Sequence, residues 1–142
     1  MKSVAIRAVV VTAILIPFAA VFVGLNICNG IDDAYAQWGA AEMVIEYMED
    51  HGGKWPADWN SLRPYFDEGH GHVGGWSYEY FQSRIFIDFT ANAERLKRLS
   101  TASDSVPFDV IHANSIWGAE FEVGPNEMVY LYFQQDRQDL RL

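Results

Sequence analysis

The stretch Asp67-Glu68-Gly69-His70-Gly71-His72 puts two imidazoles and two carboxylates within six residues. Neutral imidazole nitrogens and carboxylate oxygens are ligands for zinc and related transition metals. His70, His72, Asp67 and Glu68 therefore form the candidate metal site of this chain, and His51 or His112 would complete it if folding brought either close. The opposing reading is a solvated loop. Gly69, Gly71, Gly74 and Gly75 give the segment great backbone freedom, which works against holding ligands in place. The loop reading is the stronger, so the sequence is expected to use no metal and no other cofactor.

Other residue types able to do chemistry sit in poorer contexts. Glu42, Glu46 and Glu49 recur at helical spacing, as paired carboxylates for acid–base work would, but no base or nucleophile accompanies them. Ser77, Ser83 and Ser115 lie in no nucleophile-elbow sequence, and there is neither a phosphate-binding glycine loop nor a CxxC pair. Trp38, Trp55, Trp59, Trp76 and Trp117 would suit a groove for sugar or peptide, or equally a core in which each indole N–H finds a backbone carbonyl. Trp55, Pro56 and Trp59 are the best candidates for contact with another protein, with Trp59 the most exposed. The chain reads as a non-enzyme. The alternative is an exported metal-binding or hydrolytic domain built on the His70/His72 loop.

The elements that would position these residues begin with an anchor. Ala8 to Leu25 is a run of 18 residues without a charge, about 27 Å as a helix and close to the hydrocarbon thickness of a bilayer. Lys2 and Arg7 precede it, and Asp32 and Asp33 follow it. The positive-inside rule then places the N-terminus in the cytoplasm and the remainder across the membrane. The expectation is a single pass through the inner membrane by residues 4–27, with a periplasmic C-terminal domain. Ala34-Tyr35-Ala36 offers the rival reading, a signal-peptidase site that releases a chain starting at Gln37. The uncharged run is longer than the usual apolar core of a cleaved signal, which favours retention. Residues 1–31 are thus assigned to the anchor and 32–142 to one exported domain.

The charge is −9, from 10 basic and 19 acidic residues. Removing Lys2 and Arg7 leaves eight bases against the same 19 acids, or −11 from Asp32 onward. Such a surface repels nucleic acid, which is excluded as a partner. Cys28 is the only cysteine, so no disulfide can form within the chain and the domain must hold by packing. Lipidation at Cys28 is disfavoured because Ile27 is too bulky for a lipobox.

Within the domain, Ala34, Trp38, Ala41, Ile45 and Met48 fall on one face of a helix that Asp32 or Asp33 would cap and Gly52-Gly53 would end. Asp58 would cap a short helix over Trp59 to Arg63, stopped by Pro64. Alternation then predicts antiparallel strands at 76–80 and 85–89, a helix at 91–99, and strands at 108–113, 117–123 and 128–133, the last of these the strongest. The polar tail from Gln134 is expected to fray. The fold class is α+β, a long N-terminal membrane-anchored helix packed on a small antiparallel sheet.

This order of parts resembles the type IV pilins and, more closely, the major pseudopilin of type II secretion. The resemblance rests on Pro17 in the apolar run, on Ala41, Ile45 and Tyr47, on Gly53-Lys54-Trp55-Pro56, and on Leu62. It covers roughly the first half of the chain and implies a helix laid on a sheet, assembly with other protein subunits and no catalysis. The processing signal of that family, a glycine followed by Phe-Thr-Leu-Ile-Glu or a near variant, does not occur between Met1 and Ala8.

Overall fold

The computed structural model describes residues 29–69, 75–115 and 121–139, together with 21, 24 and 119. Residues 1–28 other than 21 and 24, which hold nearly all of the expected anchor, lie outside the described residues, as do His70, His72 and Trp117. Among the described residues the architecture is α+β, with five helices and one two-stranded antiparallel sheet. No helix among them is long and apolar enough to cross a membrane.

Helix α1 covers residues 29–50 and is the element on which the others pack. Its inner face carries Ala36, Ala40, Ala41, Met43, Val44 and Met48, all buried. The small residues along its first half let neighbouring chain approach closely, and the methionines fill the wider space further on. The helix stops where sequence expected. The Gly53 N–H donates to the Met48 carbonyl at 2.7 Å, with Gly52 and Gly53 at φ 63° and 79°, a left-handed ending that only glycine adopts without strain. The predicted face needs one correction. Trp38 is not on the core side but 41% exposed, while Ile45 is only partly buried. The core instead selects the small side chains two residues either way, Ala36 and Ala40, and turns the indole outward.

Helix α2, Trp59–Asp67, begins at Asp58, whose carboxylate accepts from the Ser61 N–H at 2.9 Å. It runs through Pro64 rather than stopping there. The ring removes a bond to the carbonyl of Asn60, an exposed residue that water can serve, at a cost of about 3 kcal/mol. Continuing for another turn buries Tyr65 and Phe66, which offsets that cost.

Two predicted strands are helices. Residues 76–80 alternate in type, yet Tyr78–Arg84 is helix α3, capped by Ser77 accepting from the Tyr80 N–H at 3.1 Å. The cap resets the period, so Tyr78 and Phe81 point inward three residues apart and Tyr80 is left at the surface. The second correction is larger. Residues 128–133 belong to helix α5, Pro125–Asp139, which starts with proline at its first position and buries Val129 and Phe133 one turn apart. The β-branched and aromatic content that suggested a strand here serves a helix that is buried along a single stripe.

The sheet is correspondingly small. Strand β1, Ile85–Ile87, pairs antiparallel with β2, Ile111–Ala113, in the register Ile85 to Ala113 and Ile87 to Ile111. Between them lies helix α4, Ala93–Ala102, capped by Asn92 and longer at its end than predicted. Of the segment predicted as a strand over 117–123, the described residues 119 and 121–123 are not in a strand. The outer edge of β2 is closed by one side chain. Asn126 accepts from the Val110 and Ile111 N–H groups at 2.8 and 3.1 Å and donates to the Ile111 carbonyl at 2.8 Å. A primary amide thus copies the pairing of a strand and seats the first turn of α5 on the sheet.

Val44 is fully buried on α1, whereas Glu49 on the same helix is exposed. Val44→Asp is expected to lower stability by about 3 kcal/mol or more, because a carboxylate enters the core unpaired. Glu49→Ala should change it by less than about 0.5 kcal/mol. Urea denaturation midpoints of the two variants check both figures.

Candidate functional site

Among the described residues, those that sequence singled out are dispersed. Asp67 ends α2 in an exposed pair with Arg63 at 3.3 Å, and Glu68 is the cap residue after it. His51 stacks on Tyr47 with ring centroids 4.0 Å apart, and His112 stacks on Phe86 at 4.7 Å. Among the described residues, no three of His, Cys, Asp and Glu lie together so as to hold a metal ion. Glu42, Glu46 and Glu49 lie along α1 outside its core stripe.

Trp55, Pro56 and Trp59 face the protein's own core. Pro56 is buried, and the Trp55 indole N–H donates to the Asp88 carbonyl at 2.9 Å. Trp59 is half-buried, edge-on to Tyr78, Phe81 and Phe89 with centroids 5.4–6.2 Å away. Its expected role as the exposed aromatic falls instead to Trp38. Around this cluster the tyrosines are raised. Burial, helped by the Asp50 carboxylate that accepts the Tyr65 O–H at 3.0 Å, pushes Tyr65 up to about 12. Burial likewise pushes Tyr78 up to about 12, its O–H donating to the Trp59 carbonyl. The two lowered carboxylates, Asp58 and Glu79, are held down chiefly by backbone N–H groups at helix starts.

The chemistry that the structure does concentrate lies at the start of α1. Asp33, 1% exposed, receives Arg84 Nη2 at 2.7 Å and the Ser115 hydroxyl at 2.6 Å. The same Arg84 nitrogen donates to the Asn29 carbonyl at 2.7 Å, and Nη1 donates to the Tyr80 hydroxyl oxygen at 2.9 Å. Tyr80 donates in turn to Asp32 at 3.4 Å. Asn114 fixes the backbone beside Arg84, its N–H donating to the Arg84 carbonyl at 2.7 Å and its side chain to the Ser83 carbonyl at 3.0 Å. Gln37, also buried, donates to the Ala119 carbonyl at 2.7 Å. Three separate stretches of chain are therefore fastened to the first two turns of α1.

Both Asp33 oxygens are occupied, one by a guanidinium and one by a hydroxyl, which is the arrangement of a clamp. Serine on a carboxylate, with no imidazole between them, lacks the base that would make it a nucleophile. Sequence gave little warning of this site. Asp33 reads as a cap residue, and Arg84 as the residue just before a strand. The signal was the placement of Asp33 among Ala34, Ala36 and Ala40, a small-residue stripe that buries whatever shares its face.

Directly opposite in character is the outer side of the same turns. Ile31, Tyr35 and Trp38 are 50%, 44% and 41% exposed. Phe121 comes edge-on to Tyr35 at 5.1 Å and to Trp38 at 6.3 Å and is itself 41% exposed. These residues form a contiguous apolar patch of the described surface, and such patches mark contact surfaces.

Arg84→Ala leaves Asp33 buried with its charge unmatched. The expected loss is about 3–5 kcal/mol, and the double variant Arg84→Met/Asp33→Leu should recover most of it. Equilibrium denaturation of the two single variants and the double variant forms the cycle that checks this.

No family model, no curated protein and no solved structure matches this chain.

Proposed function

We propose that the protein is an exported domain that stays tethered to the inner membrane by its N-terminal segment and acts by binding other protein, not by catalysis. The observation that carries this reading is that the turns next to the uncharged run are part of the domain's core. Asp33, Ala34, Ala36 and Gln37 are all buried, and Asp33 pairs with a largely buried arginine. A cut after Ala36 removes the carboxylate and leaves Arg84 without its partner, at the cost of several kcal/mol expected for a broken buried pair. This supports a working state in which tether and domain stay in one chain.

Binding is favoured over catalysis by what the two kinds of residue do. The titratable groups brought together at Asp33 are consumed in holding the fold. The exposed aromatic patch at Tyr35, Trp38 and Phe121 is served by nothing in the described structure. The pilin-like resemblance supports the same architecture of an anchored helix whose far half packs into a small domain. The sheet that resemblance implied is reduced to two strands of three residues each, with helices α3 and α5 occupying the sequence expected to extend it.

Fractionation of cells making the full-length chain, with intact-mass measurement of the product, tests the reading. The expected result is a membrane-bound chain that retains residues 29–36. A soluble product beginning at Gln37 contradicts it.

A further inference from the structure

A cavity of about 480 Å³ opens where the end of α1 meets α4 and α5. Ligand pockets run from about 300 to 1,000 Å³, so this one is sized for a small molecule. Its floor is apolar. Met48 and Phe133 are buried there, and Tyr132 lies partly buried beside Phe133 with ring centroids 5.3 Å apart. Its walls carry charge. Glu49 stands in the last turn of α1 and Glu94 in the first turn of α4, and both are exposed. Among the described residues, neither carboxylate has an ion pair or a side-chain hydrogen bond. Lys97, the one base among the described lining residues, is already engaged. Gly52 and Gly53 leave bare backbone at the end of α1, with no atom within 4 Å of where a Cβ would stand. That end of the helix adds the partial negative charge of its last carbonyls to the two carboxylates.

The ligand follows from what these walls reject. An anion is repelled by them and by the net charge of −9. A metal ion finds two carboxylates but, among the described residues, no group of three His, Cys, Asp or Glu to hold it. A neutral apolar molecule uses the floor and gains nothing from the carboxylates. A cation with an aliphatic body uses both. Its methylenes cover Met48, Tyr132 and Phe133, as the stem of a lysine covers apolar surface, while its charge stays at the rim. Carboxylates on two different helices favour two ammonium groups over one.

We propose that this cavity binds a linear aliphatic diamine, with Glu49 and Glu94 each holding one ammonium group. The proposal rests on neither the tether nor the aromatic patch. Titration calorimetry of the full-length chain with 1,6-diaminohexane tests it, with hexylamine and 1-hexanol as the singly charged and uncharged controls. The expected result is saturable one-to-one binding of the diamine, weaker by roughly tenfold or more for hexylamine and absent for hexanol, since a charge-assisted contact is lost at each step. Glu49→Gln and Glu94→Gln should each weaken the diamine by a similar factor. Both residues are exposed, so the variants keep the fold, and their circular dichroism checks this. Asp104→Asn removes an exposed carboxylate that does not line the cavity, and should bind like the parent. No saturable binding, equal binding of hexylamine, or equal weakening by Asp104→Asn overturns the proposal; the last of these would mean attraction to the acidic surface as a whole.

Discussion

The buried pair of Asp33 and Arg84 is the constraint on which the rest of this structure depends. Two charges taken out of water gain little net stability over a well-packed apolar pair, but each becomes costly as soon as the other is lost. Here the pair joins the start of α1 to the junction of α3 and β1, and Ser115 brings in the chain beyond β2. Apolar packing alone tolerates a helix rotated by a fraction of a turn. A carboxylate that must meet a guanidinium and a hydroxyl does not. The clamp therefore fixes which side of α1 faces in, and so which side, with Tyr35 and Trp38, faces out.

Further along α1 the work passes to shape. Met43, Val44 and Met48 meet Leu62, Phe66 and Phe81 in one core, and Trp59 edges three aromatic rings at its rim. Edge-on aromatic contacts add modest energy beyond burial, and they fix relative orientation. Two polar side chains complete the scaffold where apolar groups cannot. Asn126 closes the edge of β2, and the Trp55 indole N–H reaches the Asp88 carbonyl just past β1. A sheet of only two three-residue strands is too small to stand alone; it is held between α5 and α3.

Much of this was legible from residue types with a local mechanism. Gly52-Gly53 ended α1, Asp58 capped α2, and the run from Ile85 was a strand, because each of those signals acts within a few residues. What was not legible depended on tertiary context. The sequence Met128 to Phe133 has the side chains of a strand. Pro125 and the one-sided burial of Val129 and Phe133 make it a helix. Ser77 overrides the alternation of Trp76, Tyr78 and Tyr80 in the same way. Asp33 and Arg84 are 51 residues apart in sequence, and no local rule links them. The tryptophans showed the same division. The backbone bond to Trp55 follows from its chemistry, but the exchange of roles between Trp38 and Trp59 follows from which face of α1 the clamp selects.

The central claim is that residues 29–38 belong to the cooperative core and are not a loose extension of the segment before them. Amide hydrogen exchange resolved by peptide measures this directly. The account predicts that residues 30–38 are protected to the same degree as residues 41–48. It also predicts that Arg84→Ala releases the former well before the latter. Exchange of residues 30–38 at the rate of an unfolded chain, in protein whose residues 41–48 remain protected, would contradict it.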